Sequence, residues 1–278
     1  MTKTDIEGTE LRRDQLSMLD VLKEFAIICK ENNITWWLDS GTLLGAARHG
    51  GFIPWDDDMD VMVAKKDYAK LRRILMKMKD SPYFYQCMQS DVEHVNTFGA
   101  FRKKEGRKLT TDRRSQYFRY GGLGMDVFTL DYSSKFSAHM SKFLYLNLQH
   151  PSQYIKTGWL RHFYIRTVEI LNFLIFIPLC KLVGLINPKG QYHHQYASAF
   201  YKHPIYLRNI YPLTTLSFEG IECPVPGNWD AYLTDLYGDW HTPPSEDAIR
   251  RHLHNNTYLK DIFEVQSQKE RKIGLSPL

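Results

Sequence analysis

The chain has 278 residues, with 36 Lys plus Arg against 31 Asp plus Glu and a net charge of +5. Hydrophobic residues make up 43% and charged residues 24%, which excludes a disordered chain and leaves enough length for one large or two small cores. A charge of +5 is too weak to argue for nucleic acid, and suits a polyanionic substrate or an anionic membrane surface equally.

Apolar residues recur at helical spacing through Leu11, Leu19, Leu22, Phe25 and Ala26, predicting an amphipathic helix over 10–32. A short buried strand follows at Thr35–Leu38, then the turn Asp39-Ser40-Gly41-Thr42, a short helix over Leu43–Arg48 and a glycine loop. The acidic run Asp56-Asp57-Asp58-Met59-Asp60 leads into a strand at Val61–Val63, and a helix is expected over Asp67–Met78. Strands are expected at Tyr83–Met88, Thr97–Arg102, Leu109–Thr111 and Met125–Leu130. Helices are expected at Phe136–Leu148 and Leu160–Ile186, the latter interrupted at Pro178. A β-ribbon over Leu216–Pro226 and a helix over Asn228–Tyr237 close the prediction. Residues 1–135 thus read as a mixed α and β core, and 136–278 as a mainly helical, loop-rich part, with a junction near Ser152–Lys156.

Asp58 and Asp60 alternate on the entry to a strand, so their carboxylates are expected on one face. Two adjacent carboxylates repel unless a cation sits between them, and hard oxygen ligands suit Mg²⁺ or Mn²⁺. Asp126, a lone acid in the apolar Gly124-Met125-Asp126-Val127-Phe128, is the candidate third ligand, because burying it without a partner is costly. Asp131 is expected to be a turn residue. Cys29, Cys87, Cys180 and Cys223 have no metal-ligand or disulfide spacing, and the polar N-terminus has no signal-peptide core. Both suggest a cytosolic protein with reduced thiols. Neither a P-loop nor a His-Glu-x-x-His zinc motif occurs.

The block Trp37-Leu38-Asp39-Ser40-Gly41-Thr42-Leu43-Leu44-Gly45-Ala46-Ala47-Arg48-His49-Gly50-Gly51-Phe52-Ile53-Pro54-Trp55-Asp56-Asp57-Asp58-Met59-Asp60-Val61 resembles the signature of the LicD phosphotransferases, a family that includes fukutin and the fukutin-related protein. The likeness continues through 124–131 and 237–244, with a poorly matched middle. It implies an α+β, nucleotidyltransferase-like fold: a small mixed sheet with packed helices as the catalytic core, completed by the helical C-terminal part. It further implies transfer of a phospho-alcohol, of phosphocholine or polyol phosphate type, from a CDP-linked donor to a hydroxyl of a cell-surface glycan or its lipid-linked precursor. Ser40, Gly41 and Thr42 would hold the donor phosphate at a helix N-terminus. Asp58 and Asp60 would bridge two Mg²⁺ or Mn²⁺ ions, with Asp126 holding one of them and acting as general base. Asp56 and Asp57 would lie behind them. Arg48 would pair with phosphate oxygens, and Arg102 would add a contact. His241, His252 and His254 would lie near the site, while Trp36, Trp37 and Trp55 are expected as core and loop anchors.

Two other readings use the same residues: an Asp-x-Asp nucleotide-sugar glycosyltransferase, and a non-catalytic nucleotide-binding protein on the same fold. The run Ile170–Ile186 is too short and too interrupted for a membrane span. It is expected as a core helix or, with the basic and aromatic stretch from Trp159, as a peripheral contact with the inner membrane surface through 159–186.

Overall fold

The computed structural model describes residues 2–106, 108, 115–156, 158–186, 191–196, 204–249, 258 and 262. The strand expected at Leu109–Thr111, and His252 and His254, lie outside these residues.

A short turn of helix, α1 (Lys3–Ile6), precedes α2 (Glu10–Glu31). The Thr9 hydroxyl caps α2 by accepting the Arg12 N–H at 3.2 Å, and Asn33 at φ 51° turns the chain out of it. Helix α2 buries Leu11, Met18, Leu22 and Phe25 along one face. Strand β1 (Trp36–Leu38) leads into α3 (Ser40–His49), which starts earlier than expected because the Ser-Gly-Thr turn is its first turn. Strand β2 (Asp60–Val63) follows, so Asp58 lies in the preceding loop rather than on the strand. Helix α4 (Lys65–Leu75) stops short of Met78 and buries Leu71 and Leu75.

Strands β3 (Tyr83–Gln86), β4 (Gly99–Lys103) and β5 (Gly124–Phe128) complete a five-stranded sheet of order β1-β2-β5-β4-β3. Strands β2 and β5 are parallel, and every other neighbouring pair is antiparallel. The fold is α+β. Helix α2 covers one face of the sheet. There Phe25 meets Trp36 at 5.5 Å and Phe101 at 6.1 Å between ring centroids. Burying such a ring contributes about 1.5–3 kcal/mol. Trp36, Trp37 and Trp55 are all buried, as expected of anchors.

Strand β6 (Leu130–Tyr132) leads to α5 (Lys135–Leu144), which runs on through a π-turn to Gln149. Next, α6 (Trp159–Leu171), a π-turn over Asn172–Phe176 and α7 (Ile177–Gly184) form one continuous 26-residue helix. Pro178 does not break it: the wider turn just before absorbs the missing N–H. Nor is this a core helix, since Phe163, Phe173, Leu174 and Leu182 are each at least 62% exposed. Strand β7 (Tyr192–His194) pairs with β6, and a short α8 (Leu207–Ile210) follows. The hairpin of β8 (Thr214–Phe218) and β9 (Ile221–Val225) packs beside β1, and α9 (Trp229–Tyr237) packs on α3. Asp131 is not a turn residue. It is buried in β6, with Lys65 Nζ at 2.5 Å and Lys181 Nζ at 3.8 Å, and so ties the sheet to the long helix.

Candidate active site

Helix α3 begins under strain. Ser40 sits at φ 51°, in the left-handed region, a conformation that costs about 1–3 kcal/mol and persists only where neighbours hold it. Here Asp39 holds it: its carboxylate accepts the Ser40 hydroxyl at 2.8 Å and the Tyr232 hydroxyl at 2.5 Å, and lies 3.1 Å from His194 Nε2. Burial alone would raise the Asp39 pKa, but His194 and the hydrogen bonds from His194, Tyr232 and Ser40 outweigh it and hold it below the usual range. Two bonds fasten this turn to β2. Asp39 N–H donates to Asp60 C=O at 3.1 Å, and Asp60 N–H donates to the Thr42 hydroxyl oxygen at 2.8 Å. Thr42 therefore positions Asp60.

The loop carrying the acidic run is braced from afar. Gln15, fully buried on α2, donates to Asp56 C=O at 2.9 Å and Ile53 C=O at 3.2 Å. Arg12 bonds both Gln15 and Glu219, and the Glu219 carboxylate accepts Phe52 N–H at 3.1 Å. The loop also folds flat against α3. A Cβ on Gly45 would lie 2.4 Å from Gly51 C=O, so only glycine fits there.

This scaffold places Asp56, Asp57 and Asp58 with a carboxylate oxygen of each within 4.8 Å of the others. Asp56 and Asp57, expected behind Asp58, stand level with it in this group, and Asp56 reaches furthest toward α3. Its Oδ2 would be 2.8 Å from a Cβ at Gly41, against the first turn of α3. Burial, then Asp58 and Asp57, push its carboxyl up to about 7. Asp60 and Asp126 are register partners across β2 and β5, on the sheet face opposite α2. Burial, then Asp126, Asp58, Asp39 and Asp56, push the Asp60 pKa well above the carboxylate range. Such crowding of carboxylates fits a divalent cation, whose charge would offset the repulsion.

Arg102, two residues along β4 from the partner of Asp126, shares this face. Its Nη2 lies 3.6 Å from Asp126 Oδ1, and its Nε donates to Gln86 at 2.8 Å. Lys108, absent from the sequence reading, stands across from it, with Nζ 2.5 Å from Asp58 and 3.5 Å from Asp57. Burial opposes its charge, yet Asp58 and Asp57 hold the ammonium pKa above its ordinary value. Asp58, Arg102, Lys108 and Asp126 line a cleft of about 140 Å³. Tyr237, also missed, ends α9 beside the same acids. Desolvation, then Asp39, Asp60 and Asp56, push its phenol pKa well up. No local signal marks Lys108 or His194, while Tyr237 opens the 237–244 block of the family likeness; each reaches the site through the fold.

Arg48, which does not line this cleft, occupies the last turn of α3, about 12 Å along the axis from Ser40, and donates to Trp240 C=O. His241 stacks on Trp240 at 3.9 Å and lies 3.2 Å from Asp230.

Lipopolysaccharide cholinephosphotransferase LicD of Haemophilus influenzae is 28% identical over 269 residues, covering 87% of this chain and 96% of that protein. An uncharacterised Rickettsia prowazekii protein is 41% identical over 68 residues, 24% of this chain and 26% of its own. Mouse ribitol 5-phosphate transferase FKRP is 44% identical over 41 residues, 15% of this chain and 8% of its own. Residues 33–183, more than half of the chain and including β1 to β5, match the family described as LicD/FKTN/FKRP, nucleotidyltransferase domain; the chain belongs to that family.

Proposed function

We propose that the protein transfers a phospho-alcohol, of phosphocholine or polyol phosphate type, from a CDP-linked donor to a hydroxyl of a glycan or its lipid-linked precursor, releasing CMP. The observation that carries this reading is the facing pair Asp60 and Asp126, with Asp58 beside them and Arg102 and Lys108 across one small cleft. The similarity to a lipopolysaccharide cholinephosphotransferase over most of the chain supports the substrate class. Asp58, Asp60 and Asp126, joined by Asp56, would hold one or two Mg²⁺ or Mn²⁺ ions. When bound, these would neutralise the donor diphosphate and so open its phosphorus to attack.

The side chains supply the rest. Arg102 and Lys108 would pair with phosphate oxygens and draw the donor into the cleft. The first-turn amides of α3 at Gly41 and Thr42 would add their dipoles to the hold on a donor phosphate. Asp126 would accept the proton of the acceptor hydroxyl as the new oxygen–phosphorus bond forms and the phosphoanhydride bond to CMP breaks. Arg48 would act from outside the cleft, through the Trp240 segment. The test is incubation with a panel of CDP-alcohols, Mg²⁺ and a glycan acceptor. CMP plus a phosphodiester on the glycan is expected. CDP release with transfer of a sugar would establish the glycosyltransferase reading instead.

A further inference from the structure

Helix α6–α7 covers the protein and is itself uncovered. Trp159, Phe163, Ile170, Phe173, Leu182 and Ile186 are 55–79% exposed, far more clustered apolar surface than a soluble monomer ordinarily shows. Phe136 and Phe143 on the neighbouring α5, at 68% and 64% exposed, extend it. We propose that this face is a docking surface for an anionic phospholipid membrane, with the helix lying in the headgroup layer rather than crossing it.

Three observations carry the inference. First, 26 residues of mostly unburied apolar helix are long enough to span a bilayer, but the inner edge is bolted to the core along its length. Arg161, fully buried, bonds Glu93 at 2.7 Å near one end. Asn172 is buried at the middle, and Lys181 approaches Asp131 near the other end. At Gly184 the approach is so close that a Cβ would meet the Tyr196 hydroxyl at 2.6 Å. A helix clamped at three levels to a water-soluble sheet cannot stand across a membrane, but it can lie along one.

Second, the charge is one-sided. Between 135 and 186 stand Lys135, Lys142, Lys156, Arg161, Arg166 and Lys181 against a single acid, Glu169. Of these, Arg161, Arg166 and Lys181 pair with Glu93, Glu169 and Asp131, which leaves Lys135 and Lys156 exposed on the same segment. Each cation near an anionic leaflet adds about 1 kcal/mol. Third, this same charge argues against a second copy as the cover. Two identical faces pressed together about a two-fold axis would oppose basic rims. The exposed aromatic pair Tyr154 and Trp159, at the N-terminal end, suits the polar boundary of a bilayer.

The test is flotation of the full-length protein with vesicles of phosphatidylcholine alone or mixed with phosphatidylglycerol, at low and high salt. The wild type is expected to float with the anionic vesicles, to do so less at high salt, and to be stripped by alkaline carbonate. The variant Phe173→Ser/Leu174→Ser is expected to keep the wild-type Tm and to lose about tenfold or more in partitioning. Three results would overturn the proposal: folded wild type that does not float, as a monomer or as a dimer; bound protein that resists carbonate, which means a span; or a double variant that floats like the wild type.

Discussion

Asp60 and Asp126 stand opposite each other on the one parallel strand pair of the central sheet, and Asp126 N–H donates to Met59 C=O at 2.8 Å just before it. The sheet itself thus fixes the spacing of the two carboxylates. Asp58→Asn, Asp60→Asn and Asp126→Asn are each expected to cut transfer at least about 10²-fold, because each would weaken the hold on the cations that neutralise the transition state. Asp60→Asn relieves crowding among acids, so its Tm without divalent ions should equal or exceed the wild type. Near-normal turnover by any of the three with saturating Mg²⁺ would remove that residue from the machinery.

Lys108 gives a different kinetic signature. It is held over Asp57 and Asp58, and would meet donor phosphate from the mouth of the cleft. Lys108→Met is expected to raise the donor KM about tenfold with a smaller change in kcat, and Lys108→Arg to restore part of the loss. An unchanged KM would show that the ammonium only neutralises the acids.

The buried Asp39–His194 pair predicts how stability depends on acid. Asp39 has a folded pKa below its unfolded value of about 3.9, so its contribution is present above that value and lost as pH falls through the folded pKa. Asp39→Asn should cost roughly 3–5 kcal/mol near neutral pH, since it strands buried partners. In urea unfolding, the gap between variant and wild type should narrow at about pH 3. A gap of constant size would mean that the charge of Asp39 contributes nothing.

Glu219 occupies the first position of the two-residue β8–β9 turn at φ 50°, followed by Gly220 at φ 79°, where Asn or Gly is preferred. Its carboxylate accounts for the exception, holding Arg12 and Phe52. Glu219→Asn should therefore suit the turn and still lower activity, by loosening the acidic loop. Activity equal to wild type would show that Gln15 alone holds that loop.

All four cysteines are buried and free. Burial pushes Cys180 up to about 11 and Cys223 up to about 12, and Cys29 further. A thiol-reactive dye should label none of the four in the folded protein and all of them in denaturant. Rapid labelling under native conditions would contradict the packing around these residues.

Local chemistry made much of this legible. The apolar spacing of α2, the glycines around Gly45 and the lone acid Asp126 each carry their reason in a few neighbouring residues. What stayed hidden depends on distance along the chain. The strand order that sets Asp60 against Asp126, the reach of Lys108 and Tyr237 into the site, and the pairing of Asp39 with His194 join segments that no periodicity links. The long helix misled for a second reason. Hydrophobicity alone does not distinguish a helix buried in protein from one left bare.

The bond between Arg12 and Glu219 spans 207 positions in the chain. During synthesis the acidic loop therefore has most of its sheet long before it has its brace. Contacts of such high sequence separation form late and slowly, since loop closure must come first. A nascent chain that has not yet delivered the β8–β9 hairpin would hold the right carboxylates in a loose arrangement. The activity would then switch on only near the end of folding, well after the core that carries it.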